Sequence, residues 1–202
     1  MTRPLLVLGT TNRKKGQELA ELLSDLPLDL KTLGDFPEAP QVLEDGQTFA
    51  DNAAKKASEL ARALKSWVLG EDSGICVDAL GGRPGVYSAR YAGPAAGDEA
   101  NNRKLLAELR ETPDEKRTAS YVCTMALSDP SGQIRAEAEG RCHGLITREP
   151  RGSGGFGYDH LFLLREYHHT FAELPPIVKA HLSHRARAVY RLRPQLMQLF
   201  PA

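Results

Sequence analysis

Four acidic residues stand where they could hold a metal ion and activate a water molecule. Glu44 and Asp45 lie in an expected loop just before a helix, and Glu71 and Asp72 lie at the end of an expected strand. Ligands tend to bind at strand ends in α/β sheets. One carboxylate from each pair could bind Mg²⁺, and a carboxylate beside that ion can deprotonate a water for attack on phosphorus. The competing interpretation is four solvated acids on loops.

A polar loop from Thr10 to Lys15 joins an expected buried strand to an expected helix. Loop amides and a helix N-terminus favour an anion, and Lys15 adds a positive charge. The side chains of Thr10, Thr11 and Asn12 can donate hydrogen bonds to phosphate oxygens. The loop lacks P-loop spacing, and the competing interpretation is a solvated turn that caps a helix.

A glycine-rich segment, Gly152 to Asp159, could bind a flat ligand. Glycines let a backbone approach such a ligand closely. Phe156 and Tyr158 offer aromatic faces on which a base could stack. The alternative is a flexible hairpin loop with two buried aromatic residues.

A basic turn near the C-terminus contains Ser183, His184 and Arg185, and Lys179 precedes it. Ser183 is an expected N-cap, which would point His184 and Arg185 out from the first turn of a helix. Arginine offers a planar fork to a carbonyl or phosphate group, and histidine can donate or accept a hydrogen bond. The alternative is a basic turn on the surface.

The spacing of apolar residues predicts the elements that position these groups. Leu5 to Leu8 is typical of a buried strand, and residues 28–33 alternate like a second one. Between them, leucines at 19, 22, 23 and 26 share a helical face, with Pro27 as the stop. Thr48 and Asp51 form an expected capping box before a helix with an apolar stripe. This opening is typical of an α/β protein.

The spacing in the rest of the chain predicts further strands and helices. Thr118 to Leu127 and Gln133 to Ile146 flank a turn and predict an antiparallel hairpin. The other expected elements are a strand around Trp67 to Leu69, a helix that starts at Asp98, a strand from Leu161 to Leu164, and a final helix that kinks or ends early at Pro194. Together they predict an α/β fold with a mixed sheet.

Composition excludes several classes of protein. The 202 residues include 26 Lys and Arg and 26 Asp and Glu, so the formal net charge is zero. A protein that binds nucleic acid in bulk is usually basic, and a membrane span needs a longer apolar run. The first nine residues are expected to be a strand and not a signal peptide. Cys76, Cys123 and Cys142 suggest free thiols in a reducing compartment. We therefore expect a cytoplasmic protein without nucleic-acid or membrane partners.

The motifs occur in a defined order along the chain. They are Thr10-x-Asn12-x-x-Lys15, Glu44, Thr48-Phe49-x-x-Asn52-Ala53-x-x-Lys56-Ala57, Glu71-Asp72-Ser73-Gly74, Pro84-Gly85-Val86-Tyr87-Ser88-Ala89-Arg90-Tyr91, Gly154-Gly155-Phe156-Gly157-Tyr158-Asp159 and Ser183-His184-Arg185. In this order they resemble the inosine triphosphate pyrophosphatase family. The resemblance covers about residues 5 to 192 and is specific because so many motifs agree.

The resemblance implies a fold and an activity. The fold would be α/β, with an elongated mixed central sheet, flanking helices, and two lobes with a nucleotide cleft between them. Residues 1–202 would form a single domain that works as one unit, and two chains would form a homodimer. The activity would be Mg²⁺-dependent hydrolysis of inosine, deoxyinosine and xanthosine triphosphates to the monophosphate and pyrophosphate. Such an enzyme cleans the nucleotide pool.

The resemblance also assigns roles by position. Asp72 would be the proton acceptor, and Glu44 and Asp72 would hold Mg²⁺. Glu71 stands where the family more often has Asp, and because its longer side chain could shift the metal or share the proton, it is the second choice for the base. The residues that would contact the triphosphate are Thr10, Thr11, Asn12, Arg13, Lys14 and Lys15. Those that would contact the rest of the substrate are Ser73, Phe156 (by stacking), Gly157, Tyr158, Asp159 and, at the purine edge, His184 and Arg185. Lys179 would reach either a phosphate or the base.

Two other functions compete with this one. A pyrophosphatase for modified pyrimidines or methylated nucleotides, like the similarly folded septum-inhibition proteins, would use the same chemistry. The motifs at Phe156 to Asp159 and Ser183 to Arg185 argue against it. A catalytically silent nucleotide sensor would keep the binding residues only, and the presence of Glu44 and Asp72 argues against that.

Overall fold

The structure is a computed structural model that describes residues 3–201. Its helices are α1 (Arg13–Leu23), α2 (Phe49–Leu64), α3 (Asp98–Glu108), α4 (Pro176–Leu182) and α5 (His184–Leu199). Its strands are β1 (Leu5–Gly9), β2 (Asp29–Thr32), β3 (Trp67–Val77), β4 (Thr118–Ser128), β5 (Ile134–Ile146), β6 (Phe162–Leu164) and β7 (His169–Thr170). No helix in this range is long and apolar enough to cross a membrane.

The strands form a mixed sheet in the order β2-β1-β3-β4-β5-β6-β7. Strand β1 is parallel to both β2 and β3. Strand β6 is antiparallel to both β5 and β7. The expected α/β fold with a mixed sheet is therefore confirmed.

Packing divides the chain into two compact units. The first unit contains the described residues up to Asp72, then Cys123–Gly140, and those from Arg185 onward. Its core is mostly aliphatic and includes leucines of β1, α1 and α5. The second unit contains Ser73–Val122 and Arg141–His184. Its core is richer in aromatic residues, among them Tyr121, Phe162 and Phe171.

Helix α2 begins as the sequence predicts. The backbone N–H of Asp51 donates to Thr48 Oγ1 at 3.1 Å, and the N–H of Thr48 donates to Asp51 Oδ2 at 3.0 Å. This reciprocal pair satisfies two amides that the first turn leaves open. The helix ends at Leu64, and the next residue, Lys65, adopts a left-handed conformation with a φ of 50°.

Strand β3 lies directly against α2 at Gly70. A Cβ atom at this position would stand 2.3 Å from the carbonyl oxygen of Ala53 and 2.7 Å from the amide nitrogen of Ala57. Only glycine allows the two backbones to approach this closely. The contact brings the next residues of β3 to the first half of α2.

Strand β3 is longer than expected. Glu71 and Asp72 lie inside it and not at its end, since the strand continues to Val77. Most of its residues are buried, so the sequence shows no polar and apolar alternation that would mark the strand's extent. Both acids are buried, so the interpretation as solvated loop acids is wrong for them.

The helices differ from expectation in three places. Helix α1 ends at Leu23, so Leu26 is buried but lies beyond the helix. Helix α5 continues through Pro194 to Leu199, and the expected early end is wrong. Buried side chains on both sides of the proline, Leu192 and Leu196, hold it in the core. Helix α4 was not expected; it starts at Pro176, whose fixed φ suits a first helical position.

Candidate active site

The first group of candidate residues surrounds Asp72 in the first unit. Asp72 is only 6% exposed, and its Oδ2 accepts a hydrogen bond from Asn52 Nδ2 at 2.9 Å. Asn52 Oδ1 accepts from the backbone N–H of Gly46 at 2.8 Å. Asn52 thus ties the loop that carries Glu44 to the strand that carries Asp72, and it fixes the orientation of the carboxylate.

The electrostatic surroundings of Asp72 act in opposite directions. Burial raises the pKa of Asp72, and the negative charge of Glu44 raises it further. The positive charge of Lys56, the hydrogen bond from Asn52 and the charge of Lys15 lower the pKa again, but the net shift is upward. The ionised form of this carboxylate therefore depends on nearby cations.

Glu44 and Lys56 form an ion pair in the same unit. Lys56 Nζ lies 3.0 Å from Glu44 Oε2, and the glutamate side chain is partly exposed. Lys56 follows Asn52 by four residues, so both project from one face of α2. Asn52 and Lys56 both belong to a sequence motif, but neither was expected to have a role in the site. Their spacing, just after the capping box, is the signal that could have found them.

Glu71 lies in a second, more deeply buried set of contacts. Its Oε1 accepts from Arg185 Nη2 at 2.8 Å, and Lys15 Nζ lies 3.2 Å from Oε2. The thiol of Cys123 also donates to Oε1, at 3.4 Å. We call Glu44, Asn52, Lys56, Asp72, Lys15, Glu71 and Arg185 the acid–lysine cluster.

The position of Arg185 differs from the expected one. Its side chain is 1% exposed, so it does not point out from the helix. Nη1 donates to Glu18 and Nη2 to Glu71. Burial alone would lower the pKa of the guanidinium, but Glu71 and the other acidic neighbours raise it above its ordinary value. The group therefore stays charged and binds two carboxylates.

The loop from Thr10 to Lys15 is a capped helix start. Asn12 Oδ1 accepts from the backbone N–H of Lys14 at 3.0 Å and of Lys15 at 3.2 Å. Thr10 Oγ1 accepts from the N–H of Asn12 at 3.2 Å. The capping interpretation is thus confirmed, and an anion at these amides would have to displace Asn12. The exposed residues of the loop are Thr11, Asn12, Arg13 and Lys14.

The second group of candidate residues lies in the second unit, around Phe156 and Asp159. Lys179 Nζ lies 2.6 Å from Asp159 Oδ2 and 4.5 Å from the centroid of the Phe156 ring. Both charged residues are buried. A cation over an aromatic face is attracted by the ring quadrupole. Phe156, Gly157, Tyr158, Asp159, Lys179, Tyr121 and His184 are called the aromatic cluster below.

Two glycines shape the turn that carries Phe156. Gly155 has a φ of +75° and Gly157 one of +61°, both in the left-handed region. A Cβ at Gly155 would stand 2.2 Å from Asp159 Oδ2, the atom that accepts from the N–H of Phe156 at 2.9 Å. The glycines of this turn are therefore required by the backbone conformation and by the close contact with Asp159, whether or not a ligand binds.

Tyr158 and His184 are both buried. The hydroxyl of Tyr158 donates to the carbonyl oxygen of Ser88 at 2.8 Å, so the buried-aromatic alternative is correct for this residue. The ring of His184 is 4% exposed and stacks on Tyr121, contrary to the expected outward direction. Ser73 directly follows Asp72 in β3 and is partly buried. Among the rings expected to stack on a base, Phe156 is the one with exposed surface.

The first unit contains two carboxylates of the type that binds a divalent cation. Within residues 3–201, no group of three or more His, Cys, Asp or Glu side chains is placed to hold a metal. Mg²⁺ commonly takes only one or two carboxylates, together with waters and substrate phosphates. Glu44 and Asp72 supply two, and the charge of Glu44 raises the cost of ionising Asp72. A divalent cation would remove that cost.

Comparison with known proteins gives a consistent result along the whole chain. The model of the Ham1 family matches residues 6–195. A dITP/XTP pyrophosphatase of Rhodopirellula baltica is 53% identical over 194 residues, which cover 96% of this chain and 93% of the relative. One from Geobacter sulfurreducens is 52% identical and covers 97% of each chain.

Solved structures agree with these relatives. A HAM1 protein from Coxiella burnetii superposes with a TM-score of 0.88 at 37% identity, covering 96% of this chain and 99% of that one. A nucleoside-triphosphatase, or dITP/XTP pyrophosphatase, from Mycobacterium abscessus gives a TM-score of 0.76 at 42% identity, with 95% and 99% covered.

Proposed function

The chain belongs to the Ham1 family, and from that premise we propose that it hydrolyses deaminated purine nucleoside triphosphates to the monophosphate and pyrophosphate. The substrates are the triphosphates of inosine, deoxyinosine and xanthosine. The observation that carries the proposal is the buried carboxylate of Asp72 with two lysines acting on it. This arrangement combines a proton acceptor with the positive charge that a triphosphate requires.

Asp72 is the base in this proposal. Its carboxylate accepts a proton from a water molecule as that water attacks the α-phosphorus, and pyrophosphate leaves when the α–β bond breaks. Asn52 holds one oxygen of Asp72 in place. A raised pKa brings a carboxylate closer to the pH at which it can take up a proton.

Glu71 is the weaker candidate for the base. Its two oxygens are already engaged by Arg185, Cys123 and Lys15. A carboxylate that is paired with cations holds a proton poorly. We therefore assign Glu71 the role of holding Lys15 and Arg185 in place.

Glu44 and Asp72 would hold Mg²⁺, which when bound neutralises phosphate charge and stabilises the leaving pyrophosphate. Lys15 and Lys56 supply further positive charge to the phosphates. The exposed side chains of Thr11, Arg13 and Lys14 add donors near the start of α1, together with Thr10 and Asn12. A phosphate oxygen can take the place of Asn12 Oδ1 at the amides of Lys14 and Lys15, and Asn12 Nδ2 can then donate to the phosphate.

The aromatic cluster recognises the base. Phe156 stacks on the purine, and Lys179 and His184 direct donors at its edge. The other residues proposed to contact the substrate are Ser73, Gly157, Tyr158, Asp159 and Arg185. Inosine and xanthosine carry a 6-oxo acceptor, whereas adenine carries a 6-amino donor that would face other donors. An unpaired buried donor discriminates strongly between such substrates.

Three further properties belong to the proposal. Residues 1–202 act as one functional domain, since the family model matches nearly the whole chain. Two chains form a homodimer. The enzyme works in the cytoplasm, which suits its three free cysteines.

The test is pyrophosphate release from the triphosphates of inosine, xanthosine, guanosine and adenosine, and from pyrimidine nucleoside triphosphates, with and without Mg²⁺. We expect fast, Mg²⁺-dependent release from the first two and little from adenosine triphosphate. Best turnover on a pyrimidine triphosphate would favour the pyrimidine-directed alternative. Tight binding of inosine triphosphate without pyrophosphate release would favour a nucleotide sensor.

A further inference from the structure

We propose that Tyr121 of β4 is a positioning residue that sets base selectivity, an inference that rests on the function proposed above. Tyr121 is buried in the second unit and contacts two parts of the aromatic cluster at once. It holds the ring of His184 by stacking, and it holds the turn at Phe156 to Asp159 through its hydroxyl.

The first contact is between two rings. The Tyr121 and His184 rings lie with centroids 4.5 Å apart and planes inclined by only 6°. His184 is the first residue of α5, so its backbone is fixed by the helix. The stacked tyrosine then fixes the plane of the imidazole. A histidine can aim its ring nitrogens at a purine edge only if that plane is set.

The second contact is a hydrogen bond from the backbone. The N–H of Tyr158 donates to the Tyr121 hydroxyl oxygen at 3.0 Å. The same hydroxyl also interacts with the Asp159 carboxylate, and burial together with that carboxylate raises the pKa of Tyr121 well above its ordinary value. The neutral phenol can therefore accept from the amide and donate to the carboxylate.

Other side chains of the second unit hold the peptide groups on both sides of Gly157 in this turn. The N–H of Gly157 donates to Asp98 Oδ2 at 2.7 Å, and Asn102 Nδ2 donates to the carbonyl oxygen of Gly157 at 3.1 Å. Both residues lie on α3, one turn apart. Tyr121 completes this set, because it holds the next amide in the turn and is the member that also touches His184.

Tyr121 is itself held rigidly. Its ring lies 4.7 Å from Phe162 and 6.0 Å from Phe171 by centroid, and those two rings stack on each other at 5.2 Å. A side chain packed by aromatic rings has little freedom to adapt. A change at Tyr121 therefore alters where His184 and the turn that carries Phe156 lie.

The test compares two variants at this position with a matched control. Tyr121→Phe removes the hydroxyl and keeps the stacked ring, whereas Tyr121→Leu removes both. Tyr91→Phe is the control, because it deletes another buried hydroxyl of the second unit, one that donates to Glu108 Oε2 at 2.7 Å. Each full-length protein is assayed with inosine and adenosine triphosphates in Mg²⁺.

We expect Tyr121→Phe to raise KM for inosine triphosphate about tenfold, with kcat nearly unchanged, because a buried amide loses its acceptor. Tyr121→Leu also removes the stacked ring. Beyond the effect of Tyr121→Phe, it should therefore lower the preference for inosine over adenosine triphosphate, the ratio of their kcat/KM values, by a factor of about three to ten. Tyr91→Phe should keep the parental preference even where its melting temperature falls. Folded Tyr121 variants with the parental preference would overturn the proposal.

A second readout does not use activity. In a protein with labelled histidines, the ring signals of His184 should show a ring-current shift that Tyr121→Phe keeps and Tyr121→Leu loses. His184→Asn assigns the signals among the six histidines. If the parent protein releases no pyrophosphate from any purine triphosphate, the proposed function fails and the selectivity role fails with it. If the parent is active and selective, equal preference in all variants rejects the role of Tyr121 alone.

Discussion

The acid–lysine cluster and the aromatic cluster are built by different kinds of interaction. In the first, charged side chains hold one another, as Arg185 and Lys15 hold Glu71 and as Lys56 holds Glu44. In the second, one ion pair, Lys179 with Asp159, lies among side chains that hold backbone amides and rings that hold rings, as Tyr121 does with Tyr158 and His184. A change in charge should therefore be felt most in the first cluster and a change in shape most in the second. Five predictions, including the one for Tyr121, test that contrast.

The largest effect is expected from Asp72→Asn. This change keeps the shape of the side chain but removes the proposed base and one charge for the metal. We expect kcat to fall by a factor of about 100 to 10,000, the range typical of a general base. Binding of inosine triphosphate, measured by calorimetry, should persist. Activity within a few-fold of the parent would move the role of base to Glu71.

Arg185→Met should cause the next largest effect, and on stability. It leaves the buried Glu71 without its main partner, which typically costs about 3–5 kcal/mol in a buried pair. Denaturant unfolding measures this cost. Arg193→Met is the matched control on the same helix, since it breaks an ion pair with the exposed Asp25, worth at most about 1 kcal/mol. Equal losses in the two variants would contradict the contrast between buried and exposed pairs.

Phe156→Leu tests the aromatic cluster by shape alone. Stacking of a base on an aromatic ring is worth about 1–3 kcal/mol, so KM for purine triphosphates should rise about tenfold or more. The rate at saturation should change little, because the base is far from the bond that breaks. A large fall in kcat with an unchanged KM would mean that Phe156 acts on the chemical step.

Lys56→Gln tests the cations around Asp72 through pH. Lys56 lowers the pKa of Asp72, so its removal should raise that pKa further. Because Asp72 works as a base only when ionised, kcat/KM should then begin to fall at a higher pH during acidification. Lys55→Gln, next along α2, removes a lysine that pairs with the exposed Asp45 and should leave the profile unchanged. An unchanged profile in Lys56→Gln would exclude this lysine as a partner of Asp72.

Much of the first unit could be predicted because its signals are local. The capping box at Thr48 and Asp51 and the strand from Leu5 were confirmed. Each depends on residues within one turn or one strand. The family motifs added the order of the site residues, which propensity alone does not supply.

Burial of the site residues could not be predicted in the same way. Arg185 meets Glu71 across 114 positions of sequence, and His184 stacks on a tyrosine from another element. A surface turn and a buried turn have the same local pattern when their partners are distant. Glu71 and Asp72 were misplaced for a related reason, because β3 is mostly buried and its polar residues looked like the end of a strand.

Gly70 has a consequence for how this chain tolerates variation. A Cβ there would overlap the backbone of α2 at Ala53, so even alanine would push the helix away from β3. In a library that holds every amino acid at every position, position 70 should be as depleted as position 72 after selection for activity. Heating would separate loss of chemistry from loss of packing, since Asp72→Asn should melt like the parent while Gly70 variants should lose their structure at a lower temperature. A position without a side chain would then rank among the most constrained in the protein.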